Sequence, residues 1–135
     1  MNWKLIFQLS LFGLAMAFAT VSLIPSNIEP AFWFVIFLTC GYLIAKNCSS
    51  KFFLHGFLVS MVNCIWITGA HVFFYNSYIS HHQQTASMSA QMPLHNHPRV
   101  LMLLMGPIFG AAFGIVLGLF AFIASKVVKK AKPAR

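Results

Sequence analysis

Glu29 is the only acidic residue in this chain of 135 residues, and long apolar runs without an internal charge lie on both sides of it. A water-soluble domain usually carries roughly a quarter charged residues of both signs, whereas 7% of these residues are charged and nearly all of those are basic. Because 59% of the residues are hydrophobic, a globule of this size would leave a large apolar area in water. The composition therefore predicts an integral membrane protein with a single domain.

Four apolar runs are long enough to cross a bilayer, which takes about 20 mainly apolar residues as a helix. They predict an all-α fold, an antiparallel four-helix transmembrane bundle with spans at about residues 5–24, 28–45, 52–78 and 100–128. Short polar turns connect the first two pairs of spans, and a longer polar loop at 79–99 precedes the fourth. The spacing of Ser26 and Glu29 predicts a capping box at the start of the second span.

The basic residues predict the orientation of these spans. Arg99 lies alone on one side of the membrane, and the other side receives the remaining eight, which are Lys4, Lys46, Lys51, Lys126, Lys129, Lys130, Lys132 and Arg135. By the positive-inside rule, both termini are cytoplasmic in a bacterial inner (plasma) membrane. Residues 129–135 form a basic tail, which anionic lipid headgroups attract by about 1 kcal/mol per charge. A tail of this kind argues against nucleic acid as the partner.

The first span has a second interpretation, that of a cleaved signal peptide. It has a positive start at Lys4, an apolar middle and small residues at positions 15, 17 and 19. The apolar run continues through Ile24, past any such cleavage site, which favours a retained helix. The orientation of the other three spans is the same under both interpretations.

The fourth span repeats G-x-x-x-G in register, through Gly106, Gly110, Gly114 and Gly118. Residues four apart lie on one helix face, so these glycines predict a flat surface that a second helix can approach closely. Gly13 and Ala17 of the first span have the same spacing and are a plausible mate. The contact is predicted either within one bundle or between copies of the chain or other membrane subunits.

The third span carries a polar stripe. At about 100° per residue, its small and polar residues fall within an arc of roughly 120–140°, and they are Gly56, Ser60, Asn63, Cys64, Thr68 and His71. Polar groups in a membrane helix face protein rather than lipid. The stripe predicts either hydrogen bonds between helices, or a polar path or small-ligand site centred on Asn63 and His71.

The predicted outer loop is rich in histidine, with the spacings His-His and His-x-His at His81, His82, His95 and His97. Imidazole nitrogens at these spacings suit copper, zinc or nickel. No carboxylate or cysteine joins them, and the alternative is a solvated, mobile loop whose histidines titrate freely. Metal capture is therefore one of two interpretations.

The remaining residues predict no resident cofactor and no enzyme. His55 and His71 lie on one helix, about 24 Å apart at ~1.5 Å per residue, so they do not ligate one haem. Cys40, Cys48 and Cys64 form no C-x-x-C pair, which excludes a redox disulfide of that type. No carboxylate is expected inside the membrane, since Glu29 lies at the turn where the second span begins, and no P-loop, H-E-x-x-H or G-x-S-x-G motif is present.

The layout resembles that of small uncharacterised bacterial membrane proteins with four spans. The features that carry the resemblance are the turn 25–30, the segment 66–71 and the glycine register after Arg99. The resemblance implies an architecture and no mechanism. We expect a non-enzymatic accessory or assembly component that packs through the face of Gly106–Gly118. The alternative is a small transport or metal-handling protein that uses His71, Asn63 and the histidine-rich loop.

Overall fold

The computed structural model describes residues 1–128, and these residues form six helices and no strand. Four helices are long, namely α1 (Trp3–Ser22), α2 (Glu29–Asn47), α3 (Phe52–Phe73) and α6 (Pro98–Val127), and two are short, namely α4 (Tyr75–His81) and α5 (Gln83–Ala90). Each long helix is long and apolar enough to cross a membrane. The prediction of an all-helical chain with four such helices is confirmed, and the basic tail predicted at 129–135 lies outside the described residues.

The first two helices begin differently from the prediction. The side-chain oxygen of Asn2 accepts a hydrogen bond of 3.1 Å from the Leu5 N–H, and this cap starts α1 at Trp3. At α2 the N-cap residue is Ile28, which makes no side-chain cap. The predicted capping box of Ser26 and Glu29 is therefore wrong. The Glu29 carboxylate instead lies close to the side chains of Trp33 and His82.

The third predicted span is too long. The chain leaves α3 at Phe74, and α4 and α5 occupy part of the segment predicted as a loop. His71 and Tyr78 are seven residues apart, so a straight helix would separate them by about 10 Å along its axis. The break allows their rings to stack with centroids 3.9 Å apart. This stacking is a tertiary contact that hydropathy along the sequence does not reveal.

The central helix is α3, which packs against α1 and α6, while α2 packs mainly against α6. We call the end of the molecule that holds Asn2, Lys46 and Lys51 the Lys46 end, and the opposite end the Glu29 end. The buried core includes Ile6, Ile44 and Leu117, all fully buried, and lies toward the Lys46 end. Phe37, Cys40 and Val59 extend it to the middle of the helices.

The outer surface of the long helices is apolar. Large side chains on α6 such as Leu103, Ile108 and Ile123 are more than half exposed, and Phe34 and Val35 on α2 are equally exposed. A continuous surface of this kind is unusual for a protein in water, where large apolar patches mark contact with a partner or a membrane. It is compatible with contact to lipid.

Candidate functional site

A cavity of about 560 Å³ lies between α2, α3 and α6. Its walls are largely aromatic. Phe34 and Phe37 come from α2, and Phe109, Phe113 and Phe120 come from α6. Edge-to-face contacts of Phe37 with Phe113 and Phe120 hold α2 against α6, with centroids 6.2 and 6.3 Å apart. The space therefore lies beside a well-packed aromatic junction.

All four residues of the predicted polar path line this cavity, namely Ser60, Asn63, Thr68 and His71. The structure adds Glu29 and Tyr78, which were not predicted as site residues. Polar groups therefore lie along the α3 wall and at the Glu29 end, whereas the other walls are apolar. This distribution is typical of pockets that bind small molecules.

Three stacked rings connect the cavity to the short helices. The ring of Tyr78 stacks on His71 with centroids 3.9 Å apart, and on its other side it stacks on His82 with centroids 4.3 Å apart. His71 is held in turn by α1, because its Nε2 lies 2.9 Å from the hydroxyl oxygen of Thr20. The stack therefore fixes α4 to both α1 and α3.

The side chain of Glu29, the only acidic residue of the chain, reaches this stack. Trp33 donates its indole N–H to Glu29 Oε1 at 3.1 Å, and His82 Nε2 lies 3.4 Å from Glu29 Oε2. This second distance is within the range of an ion pair, but the atoms do not form a hydrogen bond, and His82 Nε2 is buried without a hydrogen-bond partner. Since the His82 side chain is 2% exposed, the unpaired nitrogen is an energetic cost.

The hydrogen-bond partners define which ring nitrogens carry hydrogens. His82 Nδ1 lies 3.1 Å from the carbonyl oxygen of Tyr78, an acceptor, so Nδ1 carries the hydrogen. In the neutral ring, Nε2 then presents a lone pair to the Glu29 carboxylate. The Thr20 hydroxyl donates to the carbonyl of Met16 at 2.8 Å, so His71 donates from Nε2 and keeps Nδ1 as an acceptor. With the ring neutral, His82 Nε2 and Glu29 Oε2 are therefore two acceptors that face each other.

Tyr78 supplies a neutral hydroxyl to this cluster. Burial raises the pKa of the Tyr78 phenol, and the nearby Glu29 carboxylate raises it further, while a hydrogen bond with the Thr85 side chain acts in the opposite direction. The phenol therefore remains protonated and uncharged at neutral pH.

Asn63 is a second polar group without complete hydrogen bonding. It is 3% exposed, and its side-chain oxygen is buried without a hydrogen-bond partner. The side chain fits against Gly13 of α1, where an added Cβ would overlap with it. Asn63 therefore lies at the α1–α3 contact and borders the cavity at the same time.

The four glycines of α6 pack against α3 within the chain. Gly106 faces Thr68 and Gly110 faces Cys64, and the next two, Gly114 and Gly118, face Phe57 and Phe53. Ser60 adds a hydrogen bond of 3.1 Å from its hydroxyl to the carbonyl oxygen of Gly110. The mate of the glycine face is thus α3, whereas Gly13 and the buried Ala17 belong to α1.

The structure separates the four histidines of the predicted metal set. His82 is buried against Glu29, whereas His81 is exposed and bonds through Nδ1 to Ser77 and Ser80. His95 and His97 are exposed. Within residues 1–128, no three His, Cys, Asp or Glu side chains are grouped so that they could hold a metal ion.

A smaller polar pocket lies at the Lys46 end. The backbone N–H of Asn2 donates to His55 Nε2 at 3.0 Å, and His55 Nδ1 lies 2.8 Å from the Lys51 carbonyl oxygen. Burial raises the pKa of the neighbouring Cys48 thiol, although the amino terminus acts in the opposite direction. Both nitrogens of His55 are satisfied, so this histidine joins α1 to α3 and has no free ligand position.

The chain matches no protein-family model, no curated protein and no solved structure. The site must therefore be interpreted from its own geometry. Sequence reasoning selected the α3 wall but not Glu29 and Tyr78, and it selected His82 only as a member of the predicted metal set. A signal for Glu29 and Trp33 was present in their spacing of four residues, which places both on one helix face. The contacts with Tyr78 and His82 could not be predicted, because they depend on how the helices pack.

Proposed function

We propose that this chain is a multi-pass protein of the bacterial inner membrane that binds a small, mainly apolar molecule between α2, α3 and α6. In this proposal the four long helices form an antiparallel bundle with both termini in the cytoplasm, and Glu29 faces outward. Binding of this kind suits a small transport or carrier protein and needs no catalytic group.

The observation that carries the proposal is the cavity itself. Its volume of about 560 Å³ is within the range of small-molecule pockets, roughly 300–1,000 Å³. The aromatic walls favour an apolar body, and the polar groups at the Glu29 end favour one polar group on the ligand. In lipid such a ligand can reach the cavity from the bilayer, into which apolar molecules partition.

The assembly role predicted for the glycine face is supported less well. The face of Gly106–Gly118 is covered by α3 of the same chain, so a second copy or another subunit would need a different surface. Assembly with such a partner stays a prediction, and so does metal handling by the exposed histidines of the segment 79–99.

A tryptophan scan of α6 tests the proposed function. Met105 lines the cavity, whereas its neighbour Leu104 is more than half exposed on the outer surface. We expect Met105→Trp to fill the cavity and to reduce binding of the neutral fluorescent probe N-phenyl-1-naphthylamine at least about tenfold, or 1.4 kcal/mol. The measurement uses protein in lipid nanodiscs, with empty nanodiscs subtracted.

Leu104→Trp is the matched control and should bind the probe as the unsubstituted chain does. Equal binding by all three proteins, or none by any of them, would show that the cavity does not take an apolar ligand. Far-ultraviolet circular dichroism verifies that both variants remain helical.

A further inference from the structure

We propose that the ligand of this cavity is a lipophilic cation, and that it takes the place of a proton shared by Glu29 and His82. The inference rests on the proposed function, since it names the class of molecule that the same cavity binds. Its basis is the geometry of hydrogen-bond acceptors at the Glu29 end.

Two acceptors face each other there without a donor between them. His82 Nδ1 is committed to the Tyr78 carbonyl, so neutral His82 turns the lone pair of Nε2 toward Glu29 Oε2 at 3.4 Å. Such a contact is repulsive and leaves a buried nitrogen unpaired. The pair becomes favourable when it holds one proton, either on His82 or on Glu29.

A bound cation resolves the same conflict in another way. Glu29 lines the cavity and is the only acidic residue of the chain. When a cation binds beside the Glu29 carboxylate, the shared proton is released to water, and His82 remains neutral. The net charge of the site is zero before and after the exchange, so no uncompensated charge is buried in either state.

The surrounding side chains favour a cation over an anion or a neutral molecule. Trp33 and Phe34 line the cavity beside Glu29, and aromatic faces attract cations. Other titratable groups that face the pair are Tyr78 from α4, which stays a neutral phenol, and His71 from α3, which keeps Nδ1 as an acceptor. Neither adds a positive charge that would repel the ligand.

Tetraphenylphosphonium and tetraphenylborate form a matched pair of probes, since they have nearly the same size and shape and opposite charge. Each is titrated against N-phenyl-1-naphthylamine bound to the protein in nanodiscs. We expect tetraphenylphosphonium to displace the neutral probe at a concentration at least about tenfold lower than tetraphenylborate does. This preference runs against the net charge of +8 on the chain, so non-specific attraction does not produce it.

The exchange of a proton for a cation also predicts the pH dependence. Tetraphenylphosphonium should bind more tightly as the pH rises from about 5 to about 7.5, by up to about tenfold per pH unit, because its binding releases one proton. Glu29→Gln should lower the affinity at least about tenfold. His82→Gln should bind the cation with an affinity that no longer depends on pH in this range.

The outcomes separate the two proposals. If the neutral probe binds and Met105→Trp blocks it, but the two ions displace it equally, the cavity is a ligand site and the cation inference is wrong. A preference for the cation that is unchanged in both Glu29→Gln and His82→Gln also overturns the inference. If the neutral probe does not bind to the unsubstituted chain, the proposed function itself is wrong.

Discussion

At the scale of single residues, the polar groups of this chain are defined by what surrounds them rather than by their type. Glu29 begins α2 and was expected to cap it, but the Trp33 indole and the His82 ring provide closer partners for its carboxylate. Asn63 is buried at a helix contact and also borders the cavity. Such residues link the packing of the helices to the site between them.

Gly13 and Gly69 form a matched test of this packing. A Cβ on Gly13 would lie 2.8 Å from Cβ of Asn63, so relief requires a shift of α1 against α3, whereas a Cβ on Gly69 meets nothing within 4 Å. We expect Gly13→Ala to lower the free energy of unfolding by roughly 1–3 kcal/mol. Gly69→Ala should change it by less than about 0.5 kcal/mol. Thermal unfolding in mild detergent measures both, and equal effects would refute the described contact of Gly13 with Asn63.

At the scale of helices, the sequence predicted the long elements well because each is a nearly uninterrupted apolar run. It missed the break at Phe74, since no proline or glycine marks it and the residues that follow are as compatible with a helix as those before. The break allows Tyr78 to stack between His71 and His82. Such contacts between residues distant along a helix axis are set by the fold and leave no local signal.

The regular spacing of the glycines on α6 predicts a flat packing face, but it does not identify the helix that packs against this face. Gly13 and Ala17 suggested α1, whereas the structure places α3 against the glycines. The complementary feature on α3 is Gly56, where an added Cβ would lie 2.7 Å from the backbone oxygen of Leu117. Close approach of two backbones therefore joins α3 and α6.

Substitution of Gly110 and Gly114 by leucine tests whether the glycine face acts within the chain. Cβ atoms at these positions would lie 2.7 Å from Cβ of Cys64 and 2.8 Å from a ring carbon of Phe57. We expect the double variant to lose more than about 2 kcal/mol of stability at every protein concentration. Ala112→Leu, on the exposed side of α6, should have little effect. Thermal unfolding and size-exclusion chromatography give the result, and a smaller oligomer with unchanged unfolding would instead favour contact between protomers.

At the scale of the whole molecule, the separate positions of the buried core and the cavity match the proposed function. The buried core lies toward the Lys46 end, while the cavity and its polar cluster extend toward the Glu29 end. Composition and hydropathy predicted the helices and the α3 wall of the site. They did not predict the cavity, because an unfilled space depends on how α2, α3 and α6 pack together and not on any single residue.

The proposed topology has its own test. With both termini in the cytoplasm, a green fluorescent protein fused after residue 135 should fluoresce, and alkaline phosphatase fused there should be inactive. Alkaline phosphatase inserted after Gln91, in the segment 79–99 between α5 and α6, should be active. The opposite pattern would show that Glu29 and the cavity face the cytoplasm.

The most direct measurement is a crystal structure of the protein in a lipidic phase with tetraphenylarsonium, whose arsenic atom can be located by anomalous scattering. The account predicts an arsenic peak inside the cavity between α2, α3 and α6, within about 6 Å of the ring centroids that line it and close to the Glu29 carboxylate. A cavity closed by helix packing, or arsenic found only on the lipid-facing surface, would contradict it.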